Sequence, residues 1–187
     1  EEHAGQLANA PEHLVGAQLT HIAKTEGLSF DGYTAEVFVA KDTRPSSVGL
    51  CDLLRQGAES VGAKVTDYGL LSTPQLHHIV RMTNLGGEFA TEWGNEEGYY
   101  SMLRDAYEEI LQGVDPAPAA RGAVVFDAAG GVGGPKLDRL KAHMKGLVEY
   151  EVRNGVNAPG VELNQDVGAE HVQKGRKPPL GVSSETD

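Results

Sequence analysis

The sequence has few of the features that define disulfide-rich, membrane and nucleic-acid-binding proteins. Cys51 is the single cysteine, which excludes an intrachain disulfide framework and is typical of a reducing compartment such as the cytoplasm. No apolar run approaches the roughly 20 residues of a membrane span, so we expect no membrane partner. Lys and Arg number 16 against 27 Asp and Glu. Without a basic patch, we expect no nucleic-acid partner.

The sequence also has no initiator Met and no signal peptide. It begins Glu1-Glu2-His3-Ala4 and ends with Thr186-Asp187, so we expect an excised fragment. A length of 187 residues has room for one large domain or two small ones. The oligomeric state stays open at this point.

What the chain does contain is a hydrophobic share of 40%, enough for a packed core, and an alternation of strand and helix patterns. Strands are predicted at 36–40, 64–68, 123–126 and 147–152. Helices are predicted at 48–61, from 74 to about 84–87, and at 98–111, 135–144 and 168–174. Strand-then-helix units in succession predict an α/β fold, with mixed, mostly parallel sheets covered by helices.

The segments between these units predict where the chain divides. Residues 88–95 form the longest connection, and they are predicted to lie on the surface. We therefore expect two domains, residues 1–97 and 98–187. Residues 113–122 are predicted to be a Pro/Ala-rich linker within the second of them.

Two helical segments carry more specific predictions. Residues 1–26 have leucines at helix-like spacing, which Pro11 and Gly16 are predicted to interrupt. In the helix predicted at 98–111, one face is expected to be buried. Its members are Tyr99, Leu103, Tyr107 and Ile110.

The turn after the first predicted strand is a candidate functional site. Lys41-Asp42-Thr43-Arg44 places charges and a hydroxyl at the carboxyl end of a strand, where α/β sheets usually bind ligands. The planar guanidinium of Arg44 suits a phosphate or a carboxylate. The alternative is that Asp42 and Arg44 pair with each other and brace the turn.

A second candidate turn follows the next predicted strand. In Ser72-Thr73-Pro74-Gln75, Thr73 is predicted to cap a helix that begins at Pro74. His77 and His78 then lie in that helix, where a surface or packing role is favoured over proton transfer.

A glycine-rich turn at 130–134 superficially suggests a nucleotide-binding fingerprint. That motif needs a third glycine where Lys136 stands, and the Lys-Ser/Thr end of a phosphate-binding P-loop is absent. A tight turn that allows close packing of helix on strand is the favoured interpretation.

The two candidate turns together resemble the α-D-phosphohexomutase superfamily. Asp42-Thr43-Arg44 matches the end of its Gly-Arg-Asp-x-Arg motif, with Ala40 and Lys41 in the first two places. The run Asp67-Tyr-Gly-Leu-Leu-Ser-Thr-Pro-Gln-Leu-His77 is similar to the N-acetylglucosamine branch, the phosphoacetylglucosamine mutases.

Later segments follow the same family in order. Residues 126–133 resemble Val-Asp-x-Ala-Asn-Gly-x-Gly, with Gly130 in place of the family's Asn. Residues 163–172 resemble Leu-Asn-x-x-Cys-Gly-Ala-Asp-x-Val, with Val167 for Cys and Glu170 for Asp. The N-terminal residues 2–10 resemble the segment after the family's nucleophile loop.

The resemblance implies two phosphohexomutase-type domains, both incomplete: residues 1–97 as the C-terminal part of domain 1, and 98–187 as most of domain 2. It implies an isomerase that interconverts N-acetylglucosamine 6-phosphate and 1-phosphate through a phosphoserine, in cytoplasmic UDP-N-acetylglucosamine biosynthesis. The substrate is then a hexosamine phosphate and the cofactor Mg²⁺. Asp42, Arg44 and Thr73 are implied as active-site support.

The family's Thr-Ala-Ser-His-Asn-Pro nucleophile loop and Asp-Gly-Asp-x-Asp-Arg metal loop do not occur in this sequence. By the resemblance, the serine would lie upstream of Glu1 and the aspartates downstream of Asp187. We therefore expect no catalytic residue, no metal ligand and no bound Mg²⁺ in this chain, and no activity from it alone. The alternative is a non-catalytic α/β module that binds a sugar phosphate or a protein.

Overall fold

The computed structural model describes residues 5, 7–28, 32, 34–112 and 124–183. The described residues up to Ala35 form one compact unit, and those from Glu36 onward form a second. The first unit contains a 3₁₀ turn at Glu12–Leu14 and helix α1 at Val15–Thr25. Gly16 lies inside α1, so the predicted interruption there is wrong, whereas the helix does begin after Pro11.

The second unit opens with two parallel strands joined by a helix. Strand β1 (Glu36–Lys41) pairs with β2 (Lys64–Leu70), and helix α2 (Ser47–Ser60) connects them. The register shifts between Val39 and Lys41. A helical crossover is what a parallel pair requires, and it brings the carboxyl ends of both strands to the same edge.

Helix α3 (Thr73–Leu85) follows β2, and helix α4 (Glu96–Leu111) packs against it. Between them, the predicted surface connection contains a π-helical turn at Phe89–Trp93. The predicted face of α4 is wrong in part, because Ile110 is exposed while Tyr100 is buried. The predicted linker at 113–122 lies outside the described residues.

A second parallel pair repeats the pattern later in the chain. Strand β3 (Val124–Asp127) pairs with β4 (Tyr150–Arg153), and helix α5 (Gly133–His143) connects them. Helix α6 (Gly168–Gly175) follows. The predicted α/β fold with parallel strands and helices is confirmed, and the boundaries differ from the predictions by a few residues at most.

The core of the second unit is built from apolar residues of both strand pairs and the helices around them. Its buried members are Val39, Cys51, Leu71, Ile79, Met82, Tyr100, Ala128, Met144, Tyr150 and Val167. In the part of the chain that the structure describes, no helix is both long and apolar enough to span a bilayer.

Candidate functional site at the carboxyl ends of the first two strands

A cavity of about 300 Å³ opens at the carboxyl ends of β1 and β2. The turn after β1 and the turn after β2 both contribute to its wall, so the structure brings the two candidate turns together. Its lining residues are Ala40, Lys41, Asp42, Ser47, Leu50, Cys51, Leu71, Ser72, Thr73, Leu76 and His77.

The carboxylate of Asp42 holds the turn after β1 in place. Its Oδ1 atom accepts a hydrogen bond from the backbone N–H of Arg44 at 3.0 Å and another from the hydroxyl of Ser47. Ser47 is the first residue of α2. The hydroxyl of Ser46, the residue before the helix, makes no capping hydrogen bond.

Arg44 lies in the same turn but does not line the cavity, and its side chain is 67% exposed. Its Nε atom is 3.4 Å from Oδ2 of Asp42, so the pairing predicted as the alternative is formed. The Ser47 and Arg44 N–H hydrogen bonds, and then the guanidinium charge, lower the pKa of Asp42. The ion pair is exposed, and exposed ion pairs stabilise little. The guanidinium can therefore leave Asp42 and contact a ligand at a small cost.

Lys41 does line the cavity, and its ammonium group is already paired. Its Nζ atom is 3.4 Å from Oδ2 of Asp67, which Arg55 also contacts at 3.0 Å. The N–H of Gly69 bonds the same carboxylate and, together with the two cations, lowers the pKa of Asp67. Lys41 therefore helps to join β1 to β2.

The turn after β2 is capped one residue earlier than predicted. Ser72 is the N-cap of α3, and Gln75, three residues on, completes a capping box with it. Thr73 is the first residue of the helix and is exposed toward the cavity. Ser72 thus replaces Thr73 as the capping residue, because the side chain of Gln75 reaches back to it.

The two histidines of α3 have different surroundings. His78 is buried, its Nε2 atom lies 2.8 Å from the carbonyl oxygen of Trp93, and its ring packs edge-on against Tyr99. His77 is exposed and lines the cavity. The packing role predicted for one of the pair belongs to His78.

A buried polar cluster behind this site was missed from the sequence. Gln75 and Tyr100 are each 1% exposed, and the amide of Gln75 donates to the hydroxyl of Tyr100 at 2.9 Å. That hydroxyl donates to Glu96 at 2.6 Å. Lys136 and Arg139 of α5 both contact Glu96 at 2.8 Å. The helix-capping spacing from Ser72 to Gln75 was the one signal of it in the sequence.

At the end of β3, the carboxylate of Asp127 accepts hydrogen bonds from three segments of the chain. Its Oδ1 atom accepts hydrogen bonds from the N–H of Ala129 and the side chain of Asn154, both at 3.0 Å. Its Oδ2 atom accepts one from the N–H of Gly168 at 2.6 Å. The side chain thus ties the turn after β3 to the end of β4 and to the start of α6.

The glycine-rich turn that follows is tight, as predicted. Gly130 has φ of 67°, in the left-handed region, and donates its N–H to the carbonyl of Asn154 at 2.8 Å. A Cβ atom at Gly130 would lie 3.2 Å from the Cα of Leu163. Close approach of the backbone therefore explains glycine here, without a nucleotide.

The described residues include no group of three His, Cys, Asp or Glu side chains that could hold a metal ion. They do not fit a resident Mg²⁺, which prefers several oxygen ligands.

Comparison with known proteins identifies relatives of the chain. Residues 13–90 match the family model described as phosphoglucomutase/phosphomannomutase, alpha/beta/alpha domain I. A phosphoacetylglucosamine mutase of Oryza sativa is 37% identical over 99% of the chain, which covers 33% of that relative. One of Mus musculus is 35% identical over 97% of the chain, again covering 33% of the relative.

Solved structures give the same picture. An Aspergillus fumigatus N-acetylphosphoglucosamine mutase variant in complex with glucose 1,6-bisphosphate matches with a TM-score of 0.75 and 30% identity. The match covers 98% of this chain and 34% of the other. The same enzyme with GlcNAc-6P and magnesium matches with a TM-score of 0.71 and 31% identity, over 98% and 35% of the two chains. The chain spans about a third of the length of these relatives.

Proposed function

Because the chain belongs to the α-D-phosphohexomutase superfamily, we propose that it is part of a phosphoacetylglucosamine mutase. That enzyme would interconvert N-acetylglucosamine 6-phosphate and N-acetylglucosamine 1-phosphate through a phosphoserine. The observation that carries the proposal is the 37% identity to such a mutase across 99% of the chain. A likeness distributed from end to end supports a shared role better than one short motif does.

Within that enzyme, the cavity at the ends of β1 and β2 forms part of the active-site cleft. Asp42 sets the turn, and Arg44 offers two parallel N–H donors to the nucleophile loop or to its phosphate. Thr73 is exposed on the facing turn and adds a hydroxyl. These roles are placement and charge stabilisation, on which phosphoryl transfer chiefly depends.

The division into two phosphohexomutase-type domains, 1–97 and 98–187, belongs to the same proposal. The boundary after Glu97 falls within the first turn of α4. Helix α4 then acts as the connection between the two strand pairs, since it contacts both α3 and α5.

The substrate and cofactor follow from the relatives. A structure of the Aspergillus fumigatus enzyme contains GlcNAc-6P and magnesium. The complete protein is proposed to use both, in the cytoplasm, for UDP-N-acetylglucosamine biosynthesis. The nucleophile and the metal ligands would come from outside the 187 residues.

Phosphorus NMR tests this proposal directly. N-acetylglucosamine 6-phosphate is incubated with Mg²⁺ and a hexose bisphosphate activator, with either this chain or a protein that carries it at the relatives' full length. Turnover by the long protein and none by the chain alone is the expected result. Turnover by the chain alone would contradict the proposal that it is only part of the enzyme. An inactive long protein whose chain still binds the sugar phosphate would favour a non-catalytic binding module.

A further inference from the structure

The hydrogen bonds of Gln75 donate in one direction, from the turn at the cavity toward a charged cluster. Its Oε1 atom accepts from both the N–H and the hydroxyl of Ser72, each at 2.9 Å. Its Nε2 atom donates to the Tyr100 hydroxyl at 2.9 Å and points to Glu96 at 3.4 Å. Gln75 thus uses both ends of its amide, and among the described residues no buried side-chain N or O atom lacks a partner.

The chemistry of the partners fixes which way the amide of Gln75 faces. The Tyr100 hydroxyl has one proton, which it donates in the hydrogen bond to the carboxylate of Glu96. Toward Gln75 it can therefore only accept a hydrogen bond. The NH₂ group of Gln75 must therefore face Tyr100, and the oxygen must face Ser72. Burial first, and then the bond to Glu96, raise the pKa of Tyr100, so the hydroxyl keeps its proton.

The far end of this chain of bonds is held by charges on α5. Burial alone would raise the pKa of Glu96, but hydrogen bonds from Lys136 and Tyr100 and the charge of Arg139 lower it. Lys136 and Glu96 are only 13% and 17% exposed in their side chains, where ion pairs are screened less than at the surface. Glu96 is therefore a fixed anion between α4 and α5.

We propose that Gln75 is a positioning residue, which couples the α4–α5 contact around Glu96 to the turn at Ser72 and Thr73 beside the cavity. Lys136 holds the carboxylate of Glu96, and that carboxylate orients the hydroxyl of Tyr100. The oriented hydroxyl keeps the amide of Gln75 from rotating, and the amide oxygen in turn fixes Ser72. The site on the first strand pair then depends on the packing of the helix that leads to the second pair. The catalytic consequence rests on the proposed function, whereas the coupling itself does not.

Amide hydrogen exchange on this chain, read by NMR, tests the coupling without reference to activity. Tyr100→Phe removes only the hydroxyl, which does not touch Ser72. We expect the Ser72 amide to exchange at least fivefold faster, relative to the Ile79 amide inside α3, because the amide of Gln75 loses its 2.9 Å acceptor. Tyr107→Phe, on the same helix but outside the cluster, is the matched control and should change neither amide.

Two results of this experiment would overturn the coupling. One is an unchanged ratio of the Ser72 and Ile79 exchange rates in folded Tyr100→Phe. The other is an equal acceleration of both amides, which would indicate general loss of stability. Lys136→Gln gives a second variant, and it is expected to raise the same ratio because it weakens the hold on Glu96.

The catalytic consequence is measured in the long protein, well below its melting temperature. There, Tyr100→Phe is expected to lower kcat about three- to tenfold with KM changed less than twofold, and Tyr107→Phe is expected to behave as wild type. Unchanged kcat in an active enzyme would refute the positioning role. An inactive wild-type enzyme would instead refute the proposed function, and the exchange experiment would still decide the coupling.

Discussion

The hydroxyl of Ser47 donates a hydrogen bond to the carboxylate of Asp42, five residues earlier in the chain. The acceptor directly follows β1 and the donor begins α2, so a single contact joins the end of the strand to the helix that follows it. The same carboxylate oxygen accepts from the N–H of Arg44. These two bonds fix the backbone of the turn that carries Arg44.

Ser47→Ala is expected to raise the pKa of Asp42, because it removes the strongest contact that lowers that pKa. Because the pKa of Asp42 is lower in the folded protein than its ordinary value of 3.8, the charged carboxylate adds to the unfolding free energy at neutral pH. That contribution is lost as the pH falls below 3.8 and through the lower folded-state pKa. At pH 7 the variant should lose about 0.5–1.5 kcal/mol of unfolding free energy. Carboxyl ¹³C NMR titration and urea unfolding measure the two effects. Ser46→Ala, whose hydroxyl makes no capping bond, should leave both unchanged.

Arg44→Lys tests the proposed role of the guanidinium in the long protein. Lysine keeps the charge and loses the planar fork, so kcat should fall roughly ten- to a hundredfold with the loss of a contact of about 1.5–3 kcal/mol. The unfolding free energy should change by less than about 0.5 kcal/mol, because the pair with Asp42 is largely exposed. Normal kcat with a clear loss of stability would instead assign Arg44 to bracing the turn.

Asp127→Ala should destabilise the second strand pair of this chain. The carboxylate accepts three hydrogen bonds from separate segments, so its removal should cost about 2–3 kcal/mol in unfolding free energy. Urea unfolding followed by circular dichroism measures the loss. Asp52→Ala, at an exposed position in α2, is the control and should cost nothing. A cost below about 0.5 kcal/mol for Asp127→Ala would show that water replaces those contacts.

Calorimetry with Mg²⁺ is expected to show no saturable site on this chain at physiological salt. The described residues offer no group of three potential ligand side chains, and scattered surface carboxylates bind the ion only weakly. Added chelator should accordingly leave the melting temperature unchanged. A single tight site would place a metal loop within these 187 residues.

The strand and helix order was predictable from the sequence because each element has a local signal. The run of β-branched and aromatic residues after Glu36 indicates a strand, and the proline in the first turn of α3 indicates a helix start. Each of these signals lies within a few residues of the element that it predicts. The buried face of α4 was not predictable in the same way. That helix contacts both α3 and α5, and a pattern that assumes one buried face selects Tyr99 and misses Tyr100.

The candidate site was predictable only in its nearest contacts. Asp42 and Arg44 are two residues apart, so their pairing was already an alternative at the sequence level. The bond from Lys136 to Glu96 joins residues 40 apart, and no local pattern relates them. The short capping motif from Ser72 to Gln75 was present, but it points to a helix start and not to the cluster behind it.

Gly130 has a consequence for how this chain can change in evolution. The family motif has Asn at this place, and a left-handed backbone suits Asn nearly as well as Gly. The backbone at Leu163, however, passes so close that any Cβ atom meets it at 3.2 Å. Gly130→Asn is therefore expected to need a small shift of the backbone at Leu163. We expect tolerance of a side chain at position 130 to depend on the segment at 163, so that the two positions change together.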